Sequence, residues 1–132
     1  MTASCFLDTN ILVYSVDEKD KAKQHTARDL IATLVQNDDA IISTQTLQEF
    51  YNAATKKDAG TFVKQFSDII PVHSNTVNDV LAAIDISEAS QLSFWDSLIL
   101  ASAKACGCSV VYSEDLNDGQ TINGVKVVNP FK

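Results

Sequence analysis

Glycine and proline are scarce here, at 4 and 2 among 132 residues. That scarcity leaves no room for long flexible linkers or low-complexity segments. No apolar run approaches the ~20 residues that span a bilayer, and no basic stretch precedes the first apolar segment, so neither a membrane span nor a signal peptide is expected. Cysteine is limited to 3 residues, an odd number that argues against a disulfide framework. Cys106-Gly107-Cys108 has a single spacer and no second Cys/His cluster, which argues against a zinc site. The expectation is a cytoplasmic protein whose thiols are small buried hydrophobes. Positive charge is also short: 10 Lys and Arg face 17 Asp and Glu, for a net −7. Such a chain cannot hold nucleic acid by general electrostatics. Its acids either solvate the surface or converge on a cation.

The sequence that remains fits one domain, residues 1–132, with one core. It is organised around Cys5-Phe6-Leu7-Asp8-Thr9-Asn10-Ile11-Leu12-Val13-Tyr14. This run is apolar, breaks at one carboxylate and two small polar residues, and turns apolar again. A buried strand handing over to a helix reads that way. Asp8 then either sits at the C-terminal edge of a sheet, where open α/β folds bind ligands, or simply caps the next helix.

Downstream, residues 11–16 read as a short helix and 17–21 as a charged loop. Ala27, Leu30, Ile31, Leu34 and Val35 recur at helical spacing. Ala40-Ile41-Ile42-Ser43 is a buried strand, and Ser43 or Thr44 caps a helix striped by Leu47, Phe50, Tyr51 and Ala54. A fourth helix begins near Gly60 and carries Phe62, Val63 and Phe66. Ile69-Ile70-Pro71-Val72-His73 reads as a third strand, which its proline confines to a sheet edge. Val77, Val80, Leu81 and Ile84 define another helix, 87–93 a polar loop, and Trp95, Leu98, Ile99, Ser102 and Cys106 one face of a long helix that Gly107 ends. Ser109-Val110-Val111-Tyr112 is a fourth strand, 113–124 a turn-rich loop, and Val125-Lys126-Val127-Val128 a last strand. The alternation predicts an α/β fold, a three-layer α/β/α sandwich around a parallel sheet of about five strands.

Four carboxylates fall where such a sheet gathers them on one rim: Asp8, Glu49, Asp96 and Asp115. Each has a plainer explanation. Glu49 suits a solvated helix face, Asp96 a capping position after Ser93, and Asp115 a turn. Together they imply more, because carboxylates within ~4–6 Å raise one another's pKa and call for a hard cation. Oxygen-only ligands select Mg²⁺ or Mn²⁺. Neither His25 nor His73 falls in these loops. Mg²⁺ with open coordination binds phosphate oxygens and activates water, which points to phosphodiester hydrolysis.

The motifs resemble those of PIN-domain proteins, and within them the VapC-type toxins of toxin–antitoxin pairs. Phe6-Leu7-Asp8-Thr9-Asn10-Ile11-Leu12 is similar to the first acidic motif, Ser43-x-Gln45-x-Leu47-x-Glu49-Phe50 to the second, and Trp95-Asp96-Ser97-Leu98-Ile99-x-Ala101 to the third. Ser113-Glu114-Asp115-Leu116-x-Asp118-Gly119 with Asn129-Pro130-Phe131 resembles the fourth motif and tail; Ser97 stands where alanine is common. The resemblance implies a sheet of order 3-2-1-4-5 and an Mg²⁺- or Mn²⁺-dependent endoribonuclease, usually homodimeric, paired with a small antitoxin. It also implies that Asp8, Glu49, Asp96 and Asp115 are catalytic and hold metal, that Asn10 and Ser113 are supporting polar residues, and that Asp118 is a further acid. Lys19, Lys21, Lys23, Lys56 and Lys57 are candidate RNA contacts or scattered solvated lysines.

Rival enzymes fit less well. An aspartyl phosphatase resembling the haloacid-dehalogenase family needs a second Asp where this chain has Asn10. A phospho-receiver needs its acceptor Asp where this chain has His73-Ser74. A PIN-like module that binds RNA or protein without cutting is the remaining alternative.

Overall fold

Phe6 and Leu7, adjacent in the first strand, are both fully buried yet belong to two different cores. Successive strand side chains point to opposite faces, so a sheet apolar on both sides must be covered twice. The structure, a computed structural model, describes residues 4–132. Its elements run β1 (Cys5–Leu7), α1 (Thr9–Val16), α2 (Lys21–Gln36), β2 (Ala40–Ser43), α3 (Thr44–Ala53), α4 (Lys56–Ile69), β3 (Val72–His73), α5 (Val77–Ser90), α6 (Phe94–Ala105), β4 (Val110–Tyr112), β5 (Thr121–Ile122) and β6 (Val125–Val128). Leu7, Ile42 and Tyr112 face a core with Ile11, Leu12, Ala27, Ile31, Leu34, Phe50 and Phe66 from α1 to α4. Phe6, Val111, Val125 and Val127 face the other, with Ala83 and Ile86 of α5 and Leu98 to Ala101 of α6. The fold is a three-layer α/β/α sandwich.

The sheet order is β3-β2-β1-β4-β6-β5. Five strands are parallel in the expected order, with Pro71 leading into the edge strand β3. The sixth is a correction. Within the stretch expected to be loop, β5 pairs antiparallel with β6, Ile122 opposite Val125. Asn123 and Gly124 between them both take positive φ, 54° and 81°. Asn-Gly between apolar residues is the sequence mark of a two-residue hairpin.

Helix boundaries follow their caps. Asp20 accepts from the Lys23 N–H, and Ser43 and Thr46 form a reciprocal capping box, as do Thr76 and Asp79. Helix α4 starts four residues before Gly60, after a Thr55 that makes no side-chain cap. It runs through Ile69, which leaves β3 only two residues. Helix α5 absorbs most of the expected 87–93 loop, ending at Gln91 in the left-handed conformation. Its inward side is Asp79, Ala83 and Ile86; Val77, Val80, Leu81 and Ile84 face outward, Val77 at 74% and Leu81 at 55% exposure. Asp79 is drawn inward by polar partners, accepting from the Thr76 N–H at 2.9 Å and lying 2.7 Å from His73 Nε2. No helix among the described residues is long and apolar enough to cross a membrane.

Candidate active site

Because β1, β2 and β4 are parallel, their C-terminal ends open on one rim, and the residues that follow them face one another there. Asp8 follows β1, Ser43 opens α3, and Ser113 follows β4. Asp8 plays both roles that its position allows. It is the N-cap of α1, with Oδ1 accepting from the Thr9 N–H at 2.7 Å. Its Oδ2 accepts from Ser113 Oγ at 2.7 Å, and the carboxylate is only 5% exposed.

Asn10 and Ser113 brace the acids from both sides. Asn10 Nδ2 donates to Asp115 Oδ2 at 3.1 Å and lies 3.5 Å from Asp8 Oδ2. Its Oδ1 accepts from the Glu114 N–H at 3.2 Å. Ser113 Oγ, donating to Asp8, also accepts from the Asp115 N–H at 3.2 Å. The loop carrying Asp115 is thus tied to the loop carrying Asp8. Glu49, on α3, is half-buried: Oε1 accepts from Thr9 Oγ1 at 2.7 Å and Oε2 from Gln45 Nε2 at 3.3 Å. Asp96 stands in the first turn of α6, where Ser93 Oγ accepts its N–H at 3.1 Å.

These four acids line one open cleft of about 480 Å³, with Thr9, Asn10, Val13, Tyr14, Asn52, Ala53 and Glu114 completing the wall. Asp118 is not among them; its Oδ1 accepts from the Asn129 N–H at 2.8 Å and fastens the tail. Of the candidate lysines, Lys23 is held by Glu114 and by Tyr14 Oη. Lys19, Lys21 and Lys57 are exposed, and the side chain of Lys56 lies outside the described part of the structure.

Burial pushes the Asp8 carboxyl up from 3.8 to about 6; hydrogen bonds from Ser113 and Thr9 oppose the rise, and the charges of Asp115 and Glu49 add to it. Asp96 is also raised, by burial first and then by the Asp115 charge. Burial is thus the main obstacle to ionising Asp8 and Asp96, neighbouring charge adds to it, and a cation beside them would offset both. All the donors are oxygens, suited to Mg²⁺ or Mn²⁺. Among the described residues no three acidic, His or Cys side chains converge as a ready-made cage. A ring round an open cleft still suits Mg²⁺, which keeps several of its waters.

The sequence reading missed Thr9, Gln45, Tyr14 and Glu114. Gln45 stands four residues before Glu49, one helical turn away, which is the available signal. Tyr14 and Glu114 carry none, because their contact joins positions 100 residues apart.

The sequence model of the PIN domain matches residues 5–117. No curated protein matches the chain. Among solved structures, a toxin–antitoxin complex from Klebsiella pneumoniae is similar at 20% identity, covering 96% of this chain and 98% of that one, with a TM-score of 0.72. VapBC2 from Rickettsia felis, bound to a DNA fragment from its promoter, is similar at 17% identity, with 93% and 96% covered and a TM-score of 0.69. VapC20 of Mycobacterium tuberculosis, a toxin that cleaves the sarcin-ricin loop, is similar at 17% identity, with 85% and 90% covered and a TM-score of 0.67. At such identities the structural likeness establishes the fold, and the sequence match, which takes in Asp8, Glu49, Asp96 and Asp115, establishes the family. The chain belongs to the PIN domain family.

Proposed function

We propose that this protein is an endoribonuclease dependent on Mg²⁺ or Mn²⁺, and the toxin of a toxin–antitoxin pair. One observation carries the reading: Asp8, Glu49, Asp96 and Asp115 line a single cleft at the C-terminal rim of the sheet. Asp8, Asp96 and Asp115 would hold the cation. When bound, the cation neutralises phosphate charge and lowers the pKa of water at the site.

The chain's own residues do the rest. Ser113 and Asn10 keep the Asp8 and Asp115 carboxylates oriented toward the cleft. Glu49 keeps free lone pairs beyond its bonds to Thr9 and Gln45 and accepts a proton from the attacking water. The water oxygen bonds to phosphorus, the P–O bond to the leaving nucleotide breaks, and the leaving oxygen takes a proton from solvent. The acidic balance fits, because a metal-free cleft repels the RNA backbone.

Similarity to toxin–antitoxin structures supports an antitoxin partner. The outward apolar stripe of α5 supports a homodimer, and the odd count of three cysteines fits the reducing cytoplasm. The test is cleavage of a mixed single-stranded RNA pool by purified protein, in Mg²⁺ or Mn²⁺ against EDTA. Cutting that needs metal and disappears in Asp96→Asn is expected. Equal cutting by that variant would overturn the site assignment.

A further inference from the structure

Beside the acidic cleft, and sharing Glu49 and Asn52 with it, lies a second recess of about 290 Å³ lined by Gln45, Gln48, Glu49, Asn52 and Trp95. Its chemistry differs: three carboxamides and an indole surround a single carboxylate, Glu49. Gln45, Gln48, Glu49 and Asn52 stand at i, i+3, i+4 and i+7, one face of α3.

Trp95 shares helical spacing with Leu98 and Ile99, yet it is 61% exposed while they are buried. Its ring meets Phe94 nearly edge-on, at 5.1 Å and 80°. An indole held in water beside a polar recess is an available stacking platform.

Gln45 supplies an independent observation. It is 3% exposed, and its Nε2 directs both protons to acceptors, the Trp95 carbonyl at 2.9 Å and Glu49 Oε2 at 3.3 Å. Neither partner can donate, so the amide orientation is fixed. Oε1 is left buried without a hydrogen-bond partner, the one such side-chain atom among the described residues. The residue cannot slide away from this position, because Asn75 Oδ1 accepts its backbone N–H at 3.1 Å while Asn75 Nδ2 anchors to Ser102 Oγ at 2.7 Å. A fixed, unpaired acceptor calls for an N–H donor.

We infer that this recess is a nucleobase subsite. The base of a nucleotide next to the cut phosphate stacks on Trp95. It gives an N–H to the buried Gln45 Oε1 as the exposed side chains of the recess shift on binding, and Gln48 and Asn52 meet the rest of its edge. The inference rests on the ribonuclease reading. Single-stranded RNA is read by stacking splayed bases on aromatic rings and hydrogen-bonding their edges, and carboxamides offer the donors and acceptors for it. A phosphate does not fit the recess, because Glu49 lines it and no cation does.

Trp95 is the only tryptophan, so its emission reports on the recess directly. The wild-type protein is titrated with tetraribonucleotides of each base, and with an abasic tetramer, with Ca²⁺ replacing Mg²⁺ to suppress turnover. Quenching by base-containing RNA but not by the abasic strand is expected. Trp95→Ala should weaken binding of labelled RNA roughly 5- to 100-fold, with Trp95→Phe retaining most of it. Gln48→Ala and Asn52→Ala should reorder the preference among the bases. Metal-dependent cleavage without base-dependent quenching, and with wild-type affinity in Trp95→Ala, would overturn the subsite and leave the nuclease. Quenching without cleavage would keep the subsite and overturn the nuclease. Absence of both would remove both readings.

Discussion

Ser113 Oγ donates to Asp8 Oδ2 at 2.7 Å, joining two strand ends that are 105 positions apart in the chain. The same oxygen accepts the Asp115 and Leu116 N–H groups. One fully buried hydroxyl therefore orients one acid and anchors the turn that carries another.

Ser113→Ala removes a donor from a buried carboxylate and the acceptor of two N–H groups. Leaving such groups unpaired costs about 1–3 kcal/mol, so denaturant titration should show a loss in that range. Cleavage should fall as well, because Asp115 loses its fixed position. Ser113→Thr keeps the hydroxyl and should recover part of the cleavage if the buried site accepts the methyl group. Wild-type stability and activity in the alanine variant would remove Ser113 from the site.

Asp8 makes stability depend on pH. Its carboxyl is raised from 3.8 to about 6 in the folded protein, so the folded state binds more protons than the unfolded state between those values. Stability must then fall as pH rises through that window and stay reduced above it. The displacement corresponds to about 3 kcal/mol at most. Asp8→Asn keeps an oxygen for Thr9 and an amide for Ser113, and cannot ionise. The variant should be inactive, more stable than wild type near pH 7.5, and indistinguishable from it in this respect below pH 4. Urea midpoints across pH 4–8, without divalent cation, measure the effect. Parallel profiles for the two proteins would show that Asp8 titrates normally.

The layered α/β class and the gathering of the acids were legible in local signals: an apolar run that stops at Asp8, a cap at Ser43 or Ser93, a turn after Tyr112. The strand order came from the resemblance to PIN-domain proteins, with Pro71 alone marking an edge. The failures have physical causes too. Helix α4 begins without a side-chain cap, so Gly60 looked like its start. On α5 Val77, Val80, Leu81 and Ile84 carry the helical spacing, but the buried side is Asp79, Ala83 and Ile86, with Asp79 held there by hydrogen bonds. Trp95 lies at helical spacing from Leu98 and Ile99, but at the start of α6 that spacing does not bury it. Partners such as Glu114 for Tyr14 and Gln45 for Trp95 depend on tertiary contact and leave no periodic trace.

A divalent cation should reverse the Asp8 penalty. Binding to ionised carboxylates releases protons, so affinity should drop as pH falls below about 6. At Mg²⁺ about 100 times its Kd, stabilisation of about 2.7 kcal/mol follows. Thermal melts should shift upward with Mg²⁺ in wild type, and little in Asp8→Asn or Asp96→Asn. Calorimetry in two buffers of different ionisation enthalpy measures the proton release. An equal melting shift in all three proteins would place the cation elsewhere.

Glu114 is tied to α2 through Lys23 and to α1 through Tyr14. Burial alone would raise its pKa, but hydrogen bonds from Lys23 and Tyr14 outweigh burial and lower it. The Lys23 ammonium also lies 4.6 Å from the Tyr14 ring centroid. The pair is partly solvated, so Glu114→Gln should cost no more than ~1 kcal/mol, less at high salt. Its larger effect should be on cleavage, since Asn10 accepts the Glu114 N–H and Asp115 is the next residue. A strong, salt-independent loss of stability would mean that Glu114 belongs to the core.

The outward face of α5 bears on assembly. Val77, Val80, Leu81 and Ile84 follow i, i+3, i+4 and i+7, so they form one continuous stripe. Val77 is 74% and Leu81 55% exposed, and a homodimer about a two-fold axis would set the stripe against its own copy. A stable interface needs about 800 Å² from each partner, more than one helix stripe supplies, so neighbouring surface must contribute. Light scattering should give twice the 14.3 kDa chain mass. Leu81→Asp puts a charge at the middle of the stripe and should yield monomers. Because the side chain is exposed in the single chain, the monomer should keep its circular dichroism and its melting transition under conditions where wild type is also dissociated. A wild-type protein that remains monomeric at high micromolar concentration would end the homodimer reading. A Leu81→Asp protein that stays dimeric would move the interface to another face.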